Sequence, residues 1–199
     1  MISVSKPMLK PAMEQQGLAA FVERLQRCRQ YLEYGCGGST VLACQQAGIR
    51  AVISVDSDLA WTTKVRETTL NSQCRVSVEY CDIGPVADWG RPIDQSGACN
   101  YWRYIADPWR RAAELGEPID LVLIDGRFRV ATFLFSLVAS PPGAAILFDD
   151  YFNRPQYSAV ERFCKPVAQH GRMATFVVGT RPWGPEIVAR IAQYSQISD

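Results

Sequence analysis

The chain has 199 residues, 48% of them hydrophobic and 21% charged, with a formal net charge of +1. That length can bury the core of one domain, and charges so balanced and interspersed argue against a phosphate-tracking surface, which needs clustered Lys and Arg. Seven cysteines without a Cys-x-x-Cys pair indicate neither a disulfide framework nor a thiolate zinc site, and the one histidine, His170, removes most Ser-His or Cys-His mechanisms and His-rich metal sites.

Met1 to Pro7 lacks the apolar core of a signal peptide, and the longest apolar region, Phe133 to Phe148, is broken by Pro141-Pro142-Gly143. The expectation is a soluble, cytoplasmic protein without nucleic-acid or membrane partners. Leu18, Phe21, Val22 and Leu25 recur at helical spacing and predict an amphipathic helix over one face of a sheet. A first strand follows from Gln30 to Tyr34, then the glycine cluster Gly35-Cys36-Gly37-Gly38, then a helix from Thr40 to Gln46 stopped by Gly48. Gly35 and Gly37 are placed to take positive φ and to let a ligand approach the backbone. Ala51 to Val55 reads as strand two with Asp56 at its end, and Asp58 as the cap of a helix carrying Leu59, Val65 and Leu70. Strand three, Arg75 to Tyr80, runs into Cys81-Asp82-Ile83.

Gly84 to Pro118 is rich in aromatics and arginines, among them Trp89, Tyr101, Trp102, Tyr104 and Trp109. Two readings stay open: an accessory helix around Asn100 to Leu115 that packs its aromatics on the domain, or a lid and substrate-recognition segment. Leu121 to Ile124 is a continuous apolar run closed by Asp125-Gly126, as expected of a central parallel strand. A helix from Val130 to Ala139 and a strand from Ala144 to Phe148 lead to the pair Asp149-Asp150. At the C-terminus, Ala174 to Val178 and Glu186 to Ile191 read as two strands joined by Arg181 to Pro185, too short for a crossover helix, so they are expected to pair antiparallel. Strands alternating with helices predict a single-domain doubly wound α/β fold spanning residues 1–199, with a mostly parallel seven-stranded sheet, one antiparallel C-terminal strand and an insert at 84–118.

In such a sheet, ligands bind outside the carboxyl ends of the strands, and four strands here end in acids: Asp56, Asp82, Asp125 and Asp149-Asp150. Any one of them alone reads equally well as a helix cap. The glycine turn also matches part of a dinucleotide fingerprint, with Asp56 about 20 residues on. Thr40, however, stands where that fingerprint wants a third Gly or Ala, and Glu33 suits a cationic ligand better than a pyrophosphate. Cys36, in the turn near a helix start, reads as a structural thiol.

Glu33-x-Gly35-x-Gly37 resembles motif I of class I S-adenosylmethionine (SAM)-dependent methyltransferases, although the family's last glycine falls on Ser39 and Gly38 is displaced by one. Asp125 with Ile146-Leu147-Phe148-Asp149-Asp150-Tyr151 resembles the small metal-dependent O-methyltransferases of the macrocin and catechol types. That resemblance implies a Rossmann-like methyltransferase fold and methyl transfer to a small-molecule acceptor at oxygen. It implies a cofactor set of Glu33, Gly35, Cys36, Gly37, Asp56, Ser57, Asp82, Ile83 and Asp125, with Asp56 on the ribose, Asp82 on the adenine amine and Glu33 near the methionine ammonium. It further implies catalytic roles for Asp125, Asp149 and Asp150 and a Mg²⁺ held by the same three acids. Arg127 and Arg129 depart from the Lys or aromatic residues often seen beside the first acid and make the pocket basic. The competing expectations are an NAD-dependent oxidoreductase and a SAM- or nucleoside-binding protein without turnover.

Overall fold

The computed structural model of the chain describes residues 9–180 and 182–198. The N-terminal stretch read above for a leader, Arg181 in the C-terminal connection, and Asp199 lie outside the described residues. Helix α1 (Gln15–Leu25) buries Phe21 and Leu25 and leads into β1 (Gln30–Tyr34). The first half continues with α2 (Gly38–Cys44), β2 (Ala51–Asp56), α3 (Leu59–Thr69) and β3 (Arg75–Tyr80). Asp58 caps α3 as expected, its carboxylate accepting from the Trp61 amide at 2.9 Å. After the insert come α4 (Tyr101–Ala113), β4 (Leu121–Ile124), α5 (Arg129–Ala139), β5 (Ala145–Phe148), β6 (Ala168–His170), β7 (Met173–Val177) and α6 (Pro185–Tyr194).

The seven strands form one sheet in the order β3-β2-β1-β4-β5-β7-β6. β3, β2, β1, β4 and β5 pair in parallel, and β7 runs antiparallel to both β5 and β6. Every residue of β1, β4 and β5 is buried, and β4 and β5 are unbroken apolar runs, because helices cover both faces of the central sheet. Phe133, Phe148, Tyr151 and Phe176 stack at ring separations of 4.6 to 5.6 Å and join α5 to β5 and β7. The parallel half and the reversed strand agree with the fold read from the sequence.

The second C-terminal run is a correction. Glu186 to Ile191 is the middle of α6, not a strand. Pro185 occupies the first helical turn, where its fixed φ is favourable and its missing N–H costs nothing. Ile187, Ile191 and Tyr194 then fall at i, i+4 and i+7 and turn one face to the core. The place beside β7 is filled from the other side by Ala168–His170, through a tight turn in which Gly171 has φ +62°. His170 therefore sits in β6, half-buried, with Nε2 at 3.1 Å from Thr175 Oγ1.

The insert divides in two. α4 is a core element: Tyr101, Tyr104 and Ile105 are buried, Tyr34 donates to the Ile105 carbonyl at 2.6 Å, and Tyr101 and Tyr104 pack on Phe128. The packing reading thus holds for α4. Residues 84–97 are different, forming a small hairpin of two-residue strands, Val86–Ala87 and Arg91–Pro92, with Trp89 exposed at its tip and Ile93 exposed at its open end.

Candidate functional site

The winding direction reverses between β1 and β4, the point at which an open α/β sheet leaves a crevice beyond its strand ends. Two glycines close the base of this crevice. Gly35 takes φ +91°, and a Cβ there would lie 2.9 Å from the Asp125 carbonyl carbon and the Gly126 amide. Gly126 in turn has no room for a Cβ against the Tyr104 hydroxyl and the Gly35 amide. The freedom expected of Gly35 is therefore spent on bringing the ends of β1 and β4 together. Gly37, with φ 167°, is simply extended, and the Trp61 ring covers it while donating from Nε1 to the Cys36 carbonyl at 2.6 Å. Gly38 faces the backbone of Lys10 and Pro11 so closely that a Cβ would overlap it, which makes residues 10–11 a strap across the turn.

Glu33 lies beneath the turn and is fully buried. Its carboxylate accepts from the Tyr31 hydroxyl at 2.7 Å and from the Thr40 hydroxyl, while Thr40 Oγ1 accepts from the Gly37 amide at 2.8 Å. Thr40 is thus the link that ties the acid to the turn. Burial pushes the Glu33 carboxyl up to about 7, with the Thr40 and Tyr31 hydrogen bonds opposing the rise.

Asp56 stands at the mouth. Oδ2 accepts from the Cys36 amide at 3.1 Å, and Oδ1 from the amides of Ser57 and Asp58 at 2.7 and 3.0 Å. Burial raises its carboxyl to about 6 against those three donors. Ser57 Oγ donates to the Gly90 carbonyl at 2.7 Å, and Gly90 packs against Ser57 and Asp56 with no space for a side chain. The 84–97 hairpin therefore lies over the acid that ends β2. Asp82 is exposed and accepts from the Gly84 amide at 2.9 Å, and Ile83 beside it is fully buried. Cys36 is buried, and desolvation with the nearby Asp56 and Glu33 carboxylates pushes its thiol up, in line with the structural reading.

Asp125, Asp149 and Asp150 do converge beyond β4 and β5, with a carboxylate oxygen from each within 4.8 Å of the others. Three arginines meet them. Arg129, whose side chain is 4% exposed, places NH2 3.0 Å from Asp125 Oδ1 and NH1 3.3 Å from Asp150 Oδ2, and donates to the backbone carbonyls of Asp125, Gly126 and Asp149. Arg172 grips both oxygens of Asp149, at 3.0 and 2.6 Å, and reaches Asp150 Oδ1 at 3.1 Å. Arg154 adds a contact of 3.0 Å to Asp150 Oδ2. Asp150 at φ +61° and Phe128 at φ +54° take the left-handed conformation without being glycine, a cost that persists only where contacts over-determine it. Those contacts are the arginines at Asp150 and the Tyr101 and Tyr104 rings at Phe128.

A divalent ion is the neutraliser that three clustered acids invite, but the residues present do not fit one. Mg²⁺ asks for near-ideal octahedral oxygen ligation. Here five of the six carboxylate oxygens already lie within 3.3 Å of a guanidinium nitrogen, and three positive charges offset three negative ones. Asp125 remains the most reachable acid, its side chain 25% exposed against 1% for Asp149 and 12% for Asp150. Desolvation lifts its carboxyl to about 7, with the Arg129 charge opposing and Asp149 and Asp150 reinforcing the rise. The sequence reading noted Arg129 only as a departure and missed Arg154, Arg172, Trp61 and the strap at Lys10. Arg154 stands four residues after Asp150, whereas Arg172 acts on Asp149 from 23 residues away and carries no spacing signal.

Two surface grooves of about 280 Å³ lie elsewhere, one between α3 and β3 around Cys74 and the other between Ala159 and Tyr194. Neither borders the strand ends. Among the described residues no helix is long and apolar enough to cross a membrane.

No protein-family model matches the chain, and no curated protein matches it. Among solved structures, a methyltransferase-like protein from Silicibacter pomeroyi is 32% identical, with a TM-score of 0.85 over 94% of this chain and 97% of that one. An O-methyltransferase from Bacillus cereus in complex with S-adenosylhomocysteine (SAH) is 18% identical, with a TM-score of 0.51 over 84% of each chain. A cofactor-bound protein from MTB is 19% identical, with a TM-score of 0.52 over 85% of this chain and 83% of that one. The last two share the fold.

Proposed function

This chain belongs to the methyltransferase-like family of the Silicibacter pomeroyi protein, and from that premise we propose that it is a SAM-dependent methyltransferase acting on a small molecule at oxygen. The observation that carries the proposal is the gathering, at one switch point, of the glycine turn, the Asp56 carboxylate bonded to it through Cys36, and a reachable acid, Asp125. The SAH bound to the Bacillus cereus neighbour supports the cofactor, and the reversed strand β7 speaks against a dinucleotide-binding oxidoreductase.

When bound, SAM supplies a methyl group on a sulfonium, an excellent leaving group, so the chain's task is alignment and proton removal. Asp56 accepts two amides on Oδ1 but only the Cys36 amide on Oδ2, so Oδ2 is the atom that would accept from the ribose hydroxyls beside Ser57. Asp82 and Ile83 border the adenine, with Asp82 the acceptor for its amine. The turn of Gly35, Cys36 and Gly37 carries the methionine end, and Glu33 below it supplies negative charge toward the ammonium. Asp125 takes the proton of the acceptor hydroxyl. A carboxyl near 7 suits that role, because the base is partly ionised at neutral pH and strong enough to accept. Asp149 and Asp150 hold Arg172 and Arg129 in position around it. Residues 84–97 act as the lid of the single domain, and α4 belongs to the scaffold.

Calorimetry with SAH and NAD side by side tests this reading. SAH is expected to bind and NAD not to. In Asp56→Ala, SAH affinity should fall at least tenfold, since a charge-assisted hydrogen bond worth about 1.5 to 3 kcal/mol is lost. Preference for NAD, or an unchanged dissociation constant in folded Asp56→Ala, would overturn it.

A further inference from the structure

We infer that Arg172, with Arg129 behind it, is the built-in cation of the Asp125-Asp149-Asp150 cluster, so that the site binds no divalent metal until the Arg172 guanidinium is removed. Three features point this way. Arg172 holds Asp149 bidentately, the geometry in which a planar guanidinium matches a carboxylate best, and Asp149 is almost wholly buried, so water cannot substitute for that partner. The same guanidinium reaches Asp150 and donates to the Ala12 carbonyl at 2.9 Å, and the Arg172 amide donates to Glu14 at 3.0 Å. It is therefore pinned from both sides and does not swing away to admit an ion. Arg129, nearly buried, is fastened by three backbone carbonyls and faces the two remaining acids. A divalent ion entering between the carboxylates would meet both guanidinium groups at close range, and like charges in a poorly solvated site repel strongly.

Arg172 thus acts as a positioning residue. It neutralises Asp149 and Asp150, leaves Asp125 as the acid open to solvent, and joins the cluster to residues 12–14, which continue from the strap over Gly38. Taking away its charge while keeping the fold leaves two aspartates with free oxygens beside Asp125, which is the ligand set of a hard-cation site.

Titration of Mn²⁺ and Mg²⁺ into the whole protein tests the inference, read by thermal shift and by Mn²⁺ electron paramagnetic resonance, neither of which needs cofactor or acceptor. Wild type is expected to show no saturable rise in melting temperature. Arg172→Ala should bind Mn²⁺ at least tenfold more tightly than wild type, with a saturable rise that a second change, Asp149→Asn, abolishes. If Arg172→Ala does not fold, Arg172→Met retains the apolar stem and carries the same expectation. Saturable Mn²⁺ binding by wild type that Asp149→Asn removes would overturn the inference. So would a folded Arg172 variant with no more Mn²⁺ affinity than wild type. SAH calorimetry on the same wild-type sample reports separately on the methyltransferase reading.

Discussion

Replacing Glu33 by glutamine isolates the energetic consequence of burying an acid under the glycine turn. In the folded chain the Glu33 carboxyl titrates at about 7, against 4.5 for a solvated glutamate, chiefly because burial disfavours its charged form. Between these values the folded state keeps a proton that the unfolded chain has released. Stability contributed by the neutral acid is therefore present below pH 4.5 and is lost as the pH rises through about 7. At about 1.36 kcal/mol per pH unit, the loss amounts to about 3 kcal/mol by pH 8. Glutamine keeps the size of the side chain, accepts one hydroxyl through its oxygen, donates to the other through its amide, and never ionises. Glu33→Gln should accordingly be more stable than wild type at pH 8 by about 3 kcal/mol relative to their difference at pH 4.5. Urea denaturation of both proteins across that range gives the answer directly. The titrations of Asp56 and Asp125 are common to both proteins and cancel in the difference. A difference that does not change with pH would refute the buried-acid account, and a drop in SAH affinity of the variant would report the separate role proposed for Glu33 toward the ammonium.

Asp125→Asn should lower kcat by about 10² to 10⁴ with any hydroxyl acceptor found in a small-molecule panel, and the rise of wild-type activity as pH passes about 7 should vanish. Retention of that pH profile in the variant would remove Asp125 as the base. Hydrogen exchange should show amides of residues 84–97 gaining protection with SAH, while those of α4, already buried around Tyr104 and Ile105, stay unchanged. Equal protection of 84–97 in both states would make the hairpin a static packing element.

The parallel half of the fold was legible in the amino-acid sequence because local signals and burial coincide there. The short apolar run Leu121 to Ile124, closed by Asp125-Gly126, fits a central strand covered on both faces, and Asp58 or the Gly35 cluster marks the boundaries chemically. Acids that follow strands fall on one edge of a parallel sheet whatever the details of packing, so Asp56, Asp82, Asp125 and Asp149-Asp150 could be placed together before any coordinates. Local pattern failed where two structures are equally compatible with it. Glu186 to Ile191 alternates well enough for a strand, yet becomes α6 because β6 already pairs with β7 and α5 offers an apolar surface for Ile187.

The electrostatic character of the site was decided only by tertiary structure. Three aspartates in sequence imply a missing cation but do not say which one. Arg172 reaches Asp149 from the turn between β6 and β7, Arg129 is folded inward by carbonyls that follow β4 and β5, and Lys10 crosses Gly38 from the segment before α1. Arg129 with Asp125 and Arg154 with Asp150 are four residues apart, but the bonds of Arg172 and Arg129 to Asp149 and Asp150 span 20 residues or more and carry no periodicity, so charge balance at the strand ends is set by which segments the sheet brings together.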